Sequence, residues 1–211
     1  GSGAHVARAA KFFMMSQVEA GHCCPVTMTF AAVPTLRRQP ELAASWEDRI
    51  TTNGYDPRNV PADRKAALTI GMAMTEKQGG SDVRANTTRA FPVGQEGPGQ
   101  AYELVGHKFF VSAPMCDAFL TLAQTTRGLS CFLLPRWRPD GSKNPFQVLR
   151  LKKKMGNASN ASSETELRGA LAWMVGEEGR GVRNIIEMVA MTRFDCMVGS
   201  SAGMRMALSQ A

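Results

Sequence analysis

The sequence predicts an α+β protein in which a helical segment precedes a β domain and a long helix follows it. Three observations carry this prediction. Apolar residues recur at helical spacing in the first third of the 211-residue chain. Many short strand-like segments at modest spacing occupy residues 68–175, which is typical of a sandwich or barrel. From Val182 to Ala211 a methionine-rich apolar stripe returns to helical spacing.

The first third predicts three helices, over residues 4–20, 26–32 and 40–50. Gly21 is expected to end the first helix, and Pro25 suits the first turn of the second. Pro34 is expected to break that second helix, because proline lacks an N–H and clashes with the preceding turn. These helices are too few to hold a core alone, so we interpret residues 4–65 as the end of a helical domain.

The middle of the chain predicts a β domain over residues 66–175. Leu129–Leu134 is a continuous apolar run that predicts a buried strand, and Pro135 ends it. The other predicted strands are Leu68–Thr75, Thr87–Val93, Ala101–Val105 continuing into Lys108–Ser112, Phe119–Gln124, Phe146–Leu151, Ser162–Leu167 and Ala170–Val175. Residues 176–211 then predict a glycine-containing hinge and one long helix, which we expect to belong to a further, truncated helical domain.

Composition excludes several classes of protein. A hydrophobic content of 44% with 20% charged residues is typical of a globular chain. No apolar run approaches the roughly 20 residues that span a bilayer. The five cysteines include no C-x-x-C pair, which favours reduced thiols in the cytoplasm over disulfides or a zinc site. A net charge of +7 favours an anionic cofactor or nucleic acid as partner.

A glycine-rich stretch, Gly71 to Asp82, is the strongest candidate for a binding site. The adjacent Gly79 and Gly80 let the backbone come close to a ligand, and Thr75 and Ser81 add hydroxyl groups. Successive N–H groups in such a turn can bind a phosphate or the polar edge of a ring. A tight turn between two strands, with no ligand, explains the same residues.

A second motif, Gly199 to Gly203, matches the G-x-S-x-G nucleophile elbow of hydrolases. That elbow needs a strand before its serine and a histidine later in the chain. Here the motif lies inside the predicted last helix, and no histidine follows it. The sequence therefore favours close helix packing over a hydrolase site.

Four blocks of sequence occur in the order that one known family has them. The first block is Met74-Thr75-Glu76-Lys77-Gln78-Gly79-Gly80-Ser81-Asp82, which Val83 extends and which is close to the signature M-T-E-x-x-x-G-S-D. The others are Gly106-His107-Lys108, Gly156-Asn157-Ala158-Ser159-Asn160-Ala161-Ser162 and Met191-Thr192-Arg193-Phe194-Asp195-Cys196. Together they resemble the acyl-CoA dehydrogenase family and most closely its AidB-type branch, which takes part in the adaptive response to alkylation.

The resemblance implies a fold and a division of the chain. The family has a helical domain, a β-barrel-like middle domain and a C-terminal four-helix domain. This chain would supply the end of the first (4–65), all of the flavin-binding second (66–175) and the first helix of the third (176–211). We therefore expect a fragment of a longer protein, which as a whole would form a homotetramer.

The resemblance also implies that FAD lies against the middle domain. Met74 and Thr75 would bond the pyrimidine edge of the flavin, and Gly80 and Ser81 would approach its pyrophosphate. In the 110–112 segment, Phe110 stands where many relatives have a tryptophan, Ser112 stands where they have a threonine that reaches flavin N5, and Val111 lies between them.

Two of these assignments compete with other interpretations. Ser81 and Arg193 would border the acyl-CoA substrate. Arg193 could instead form an ion pair on the surface or between subunits, for example with Asp195 or Glu187, and Phe110 could be a core side chain.

The family reaction removes the α-proton of an acyl-CoA with a glutamate while hydride passes from the β-carbon to flavin N5. The resemblance places that glutamate beyond Ala211, so we expect no catalytic residue here and an inactive fragment. Glu76 belongs to the signature and is not that base. The alternative is a flavin-carrying protein of the alkylation response that binds double-stranded DNA with vestigial dehydrogenase activity. A fragment that folds without flavin is a third possibility.

Overall fold

The computed structural model describes residues 2–211 and confirms the predicted α+β order. Three helices precede the strands and one long helix follows them. Their bounds are α1 Ala4–Ser16, α2 Cys23–Leu36, α3 Pro40–Ile50 and α4 Gly181–Gln210. No helix within residues 2–211 is long and apolar enough to cross a membrane.

Seven strands form one sheet that closes on itself as a small barrel. They are β1 Ile70–Ala73, β2 Arg89–Pro92, β3 Ala101–Ser112, β4 Ala118–Thr125, β5 Gly128–Pro135, β6 Phe146–Leu151 and β7 Ser162–Met174. The order is β1-β4-β2-β3-β7-β5, and the antiparallel pairing of β5 with β4 completes the ring. β1 runs parallel to β4, and β6 pairs with β7.

The barrel separates two apolar cores. The inner core lies between facing strands and includes Tyr102, Phe132 and Leu167. The outer core lies between the barrel, α2 and α4, and includes Leu36 and Ile185. Successive residues of β5 enter alternate cores because side chains alternate across a strand. This confirms the strand that the run at 129–134 predicts, and it explains why five of its six residues are apolar.

The prediction that Pro34 breaks the second helix is wrong. The helix continues through Pro34 to Leu36, and Arg37 donates its backbone N–H to the Val33 carbonyl at 3.0 Å. A proline interrupts a helix because it removes one intrahelical hydrogen bond and crowds the preceding turn. Here that cost falls close to the end of the helix, and Ala32 and Leu36, which flank the proline, are both fully buried. Packing of the last turn therefore outweighs the local preference.

A buried carboxylate joins three of the helices. Asp195 of α4, 1% exposed, accepts hydrogen bonds from both terminal nitrogens of Arg8 on α1, at 2.8 and 2.7 Å. It also accepts from the Thr27 hydroxyl on α2. The Arg8 guanidinium carbon lies 3.5 Å from the centroid of the Phe30 ring, which completes its contacts. This cluster fixes α1 and α4 to α2, the helix that covers the barrel.

Candidate functional site

The two segments that the sequence marks as a candidate site lie side by side. Thr75 forms an antiparallel bridge with Phe110, and the Phe109 N–H donates to the Thr75 carbonyl at 2.9 Å. Val111 is fully buried, whereas Phe110 is 37% exposed and Ser112 is partly exposed. Phe110 is therefore not a core side chain. The strand presents an aromatic ring and a hydroxyl on the face opposite Val111.

The glycine pair forms a tight turn beside this strand. Gly79 donates its N–H to the Glu76 carbonyl at 3.0 Å and has a φ of 108°, which favours glycine. A Cβ at Gly80 would lie 2.8 Å from the Thr75 hydroxyl oxygen. Glycine at position 80 thus leaves the Thr75 hydroxyl uncrowded, and Ser81 follows it on the surface.

Glu76 fastens this turn to the barrel. The carboxylate is 2% exposed and accepts hydrogen bonds from the backbone N–H and the hydroxyl of both Thr87 and Thr88. The Lys108 ammonium, fully buried, donates to the same carboxylate at 2.8 Å. Because its oxygens already accept five donors, Glu76 has a structural role, which agrees with the expectation that it is not a catalytic base.

Burial and pairing act on the Glu76–Lys108 pair in opposite directions. Burial acts to raise the pKa of Glu76, but Lys108, Thr88 and Thr87 outweigh it and lower that pKa to about 2. Burial also lowers the pKa of Lys108, which favours its neutral form. We assign a charged pair, because all the partners of the Glu76 side chain are donors and a carboxylate is an acceptor only.

A second set of contacts positions the backbone of Met74. The Asn86 amide donates to the Met74 carbonyl at 2.9 Å, and Gln78 donates to the Asn86 side-chain oxygen at 2.9 Å. The residues on both sides of Thr75 are therefore held by hydrogen bonds that are at least partly buried. A turn that is already ordered lowers the entropy cost of binding a ligand.

The structure places two further residues beside Ser112. The Ala113 N–H donates to the Ala161 carbonyl at 2.7 Å, which brings the 160–162 segment against the end of β3. The Asn160 side chain is 3% exposed, and neither of its polar atoms has a hydrogen-bond partner within residues 2–211. Burial raises the pKa of the Cys24 thiol, against a lowering by its contacts with Ser112 and Asn160.

Sequence reasoning misses Cys24 and Asn160 as neighbours of the site. No spacing or motif links positions 24, 112 and 160. The pairing of β3 with β7 brings residue 160 beside Ser112, and the packing of α2 on the barrel adds Cys24. The one available signal is the Gly156–Ser162 block, which the family resemblance marks without a role for Asn160.

Arg193 lies on the surface of α4. Within residues 2–211, neither of the two carboxylates suggested as its ion-pair partner pairs with it. Asp195 pairs with Arg8, and Glu187 pairs with Arg38. Among residues 2–211 no carboxylate lies within ion-pair distance of Arg193, so the structure leaves its guanidinium available.

Two family models match the chain. The AidB N-terminal domain model covers residues 1–57, and the acyl-CoA dehydrogenase middle-domain model covers residues 71–170. Over 211 residues the chain is 53% identical to a protein of Escherichia coli named putative acyl-CoA dehydrogenase AidB, and it covers 38% of that protein. The chain thus spans little more than a third of this relative's length.

Solved structures show the same fold. Caenorhabditis elegans ACDH-11, in complex with C11-CoA, is 35% identical with a TM-score of 0.80 over 93% of this chain and 34% of that chain. The apo form of Bd2924 is 31% identical with a TM-score of 0.86 over 99% of this chain and 41% of that chain. With the motifs at 74–82 and 191–196 in place, the chain belongs to the acyl-CoA dehydrogenase family and to its AidB-type branch.

Proposed function

We propose that this chain forms the flavin-binding part of an FAD-dependent acyl-CoA dehydrogenase, an oxidoreductase that acts on the CH–CH bond next to a thioester. The observation that carries the proposal is the bridge between Thr75 and Phe110. It joins the family signature to the strand that presents an aromatic ring and a hydroxyl. The division of the chain at residues 65 and 175 and a cytoplasmic location are parts of the same proposal.

The residues of the site suit a planar cofactor that has a polar edge and a phosphate-bearing tail. The exposed ring of Phe110 offers a flat face for a ring system, and Thr75 offers a hydroxyl on the neighbouring strand. A side chain at Gly80 would crowd that hydroxyl, which suits close approach of a ligand. Gly80 and Ser81, which follow the turn closed between Glu76 and Gly79, would offer backbone N–H groups to a phosphate.

FAD, when bound, supplies the acceptor for a hydride. The chain's own residues bind and orient. Ser112 would donate its hydroxyl to the reactive end of the flavin, while Met74 and Thr75 fix the opposite edge. Ser81 and Arg193 would border the acyl-CoA, in line with the C11-CoA complex of the worm relative. We assign no base to residues 2–211, because the carboxylate of the signature, Glu76, is already saturated by donors.

The test is a visible absorption spectrum of the purified chain after addition of FAD and removal of the excess. We expect flavin bands to be retained, and a straight-chain acyl-CoA to perturb them. Phe110→Leu and Ser112→Ala should weaken flavin retention by about tenfold each, because each removes a direct contact. Ser45→Ala, a serine on the exposed face of α3, is the matched control and should change nothing.

Two results would contradict the proposal. If the chain retains no flavin, the roles of Thr75, Ser81 and Ser112 must be withdrawn. If flavin is retained equally by the Phe110 and Ser112 variants, it binds elsewhere. Bands that no acyl-CoA perturbs would leave flavin binding standing and remove the substrate assignment.

A further inference from the structure

A lysine side chain closes the loop that packs against the end of β3, where Ser112 lies. The Lys154 ammonium donates to the Asn160 carbonyl and to the Ser162 hydroxyl, the latter at 2.9 Å. Both acceptors follow Lys154 within the same loop and the start of β7. The ammonium group is therefore held at the point where this loop enters the strand.

The pairing of β3 with β7 places this ammonium group near Ser112. Ser162 is the direct partner of Ser112 in the antiparallel register. Directly opposed residues have their side chains on the same face of a sheet, with Cβ atoms about 5 Å apart. Because the Lys154 nitrogen binds the Ser162 hydroxyl, one side chain separates it from Ser112.

A second contact, from α2, places the charge at the same point. The Cys24 thiol contacts both Ser112 and Asn160. Burial raises the pKa of this thiol, whereas the charge of Lys154 acts to lower it and Cys196 acts to raise it further. The potential of the ammonium group therefore reaches the thiol that contacts the Ser112 hydroxyl.

No carboxylate neutralises Lys154 in the part of the chain that the structure describes. Both of its acceptors are uncharged oxygens, whereas the neighbouring Lys152 pairs with Glu164 at 2.7 Å. The side chain of Lys154 is only partly exposed, so salt and water screen its charge less than at an open surface. The positive potential is therefore available to the groups around it.

The backbone after Ser112 has a conformation that fixes it against this loop. Ala113 is fully buried and has a φ of 50°, which is uncommon for a residue with a side chain. Its N–H donates to the Ala161 carbonyl at 2.7 Å. Such a conformation persists only where the surrounding structure holds it, so Ser112 keeps one position relative to the Lys154 loop.

We propose that Lys154 is a positioning residue that acts through Ser162 and makes the Ser112 hydroxyl a stronger site for negative charge. A fixed cation behind a hydroxyl donor stabilises negative charge on the ligand atom that the hydroxyl binds, because the two potentials add. Resting on the proposed function, that ligand atom is N5 of the flavin. Lys154 would thus favour reduction of the ring.

The first test needs no flavin. The rate at which iodoacetamide alkylates Cys24 is measured against pH by peptide mass spectrometry, in the wild-type chain and two variants. Lys154→Gln keeps a hydrogen-bond donor without the charge, so the midpoint of the profile should rise and the rate below it should fall about fivefold. Lys154→Arg keeps the charge and should keep the wild-type midpoint. Lys153→Gln, at the exposed neighbouring lysine, is the matched control.

The second test uses the chain loaded with FAD and titrated with sulfite. Sulfite adds to flavin N5 through its sulfur and leaves negative charge on the ring, and bleaching of the visible band reports its binding. Lys154→Gln should weaken sulfite binding about tenfold, because the added charge loses its nearby cation. Lys154→Arg and Lys153→Gln should bind sulfite as the wild type does.

The two tests separate this inference from the proposed function. An unchanged Cys24 midpoint in Lys154→Gln, or a change only in the plateau of the profile, would overturn the inference. So would an unchanged sulfite affinity, or equal losses in Lys154→Gln and Lys154→Arg, which would assign Lys154 to loop packing alone. A raised midpoint in a chain that retains no flavin would support the action of Lys154 at Ser112 and defeat the proposed function.

Discussion

Two buried carboxylates in this molecule have similar hydrogen-bonding but hold different parts of the structure together. Glu76 binds Lys108 and two threonines, all within the barrel and the loop that it carries. Asp195 binds Arg8 and Thr27, which lie on two other helices. A buried carboxylate is costly without partners, so each cluster fixes every segment that donates to it. The first cluster shapes the site, and the second attaches helices to a barrel formed without them.

The largest expected effect on stability comes from removing the cation of the Glu76 cluster. Lys108→Met leaves the Glu76 carboxylate buried without its cation, which should lower the free energy of unfolding by about 3–5 kcal/mol. Urea unfolding followed by circular dichroism measures it. Lys153→Met, at an exposed lysine, should change little. If the double variant Glu76→Gln with Lys108→Met is no more stable than Lys108→Met, the cost lies in packing and not in the unpaired charge.

The second expected effect, on the helix cluster around Asp195, is smaller because only the attachment of the helices is weakened. Asp195→Ala removes three hydrogen bonds, including a partly exposed ion pair, and should cost about 2–3 kcal/mol. Hydrogen exchange should rise in α1 and α4 while β3 and β7 keep their protection. Uniform loss of protection would show that the helices and the barrel unfold as one unit, and the comparison between the two clusters would fail.

The pH dependence of the free energy of unfolding is a further test of the Glu76 cluster. The pKa of Glu76 is lowered from 4.5 to about 2, so folding favours its ionised form. The stability this contributes is present above pH 4.5 and is lost as the pH falls towards 2. The stability gap between wild type and Glu76→Gln should therefore narrow over that range in acid titrations of urea-unfolding midpoints. A constant gap would mean that Glu76 is not ionised in the folded protein.

How much of the structure the sequence predicts depends on whether a local sequence pattern or tertiary packing determines each part of it. The run at 129–134 predicts its strand because both faces of β5 are buried, so burial and sequence pattern agree. The prediction that Pro34 breaks its helix is wrong because tertiary packing outweighs the local preference of proline. The bridge between Thr75 and Phe110 follows from a motif. The proximity of Asn160 to Ser112 does not follow from a motif, because neither a periodicity nor a spacing shows which distant segments pack together.

The smallest expected effect concerns the serine of the G-x-S-x-G match. The structure confirms that Ser201 lies inside α4, where its hydroxyl donates to the Met197 carbonyl one turn earlier at 2.9 Å. Ser201→Ala should change the free energy of unfolding by less than about 0.5 kcal/mol, since the site is exposed and alanine favours helix. It should also leave any esterase activity of the preparation unchanged. A larger change in stability would mean that α4 has contacts near this end comparable to those of Asp195.

The open side of β6 has a consequence for how copies of this protein behave at high concentration. Among the described strands β6 pairs only with β7, and Val148, Leu149 and Leu151 are all more than 40% exposed. An unpaired strand edge of this kind is a template for another chain, and charges beside it prevent that pairing. In the basic run at residues 150–154, Arg150 and Lys152 pair with Glu164, so the exposed Lys153 is the charge best placed for this. The colloidal stability of the protein should decline as salt screens it.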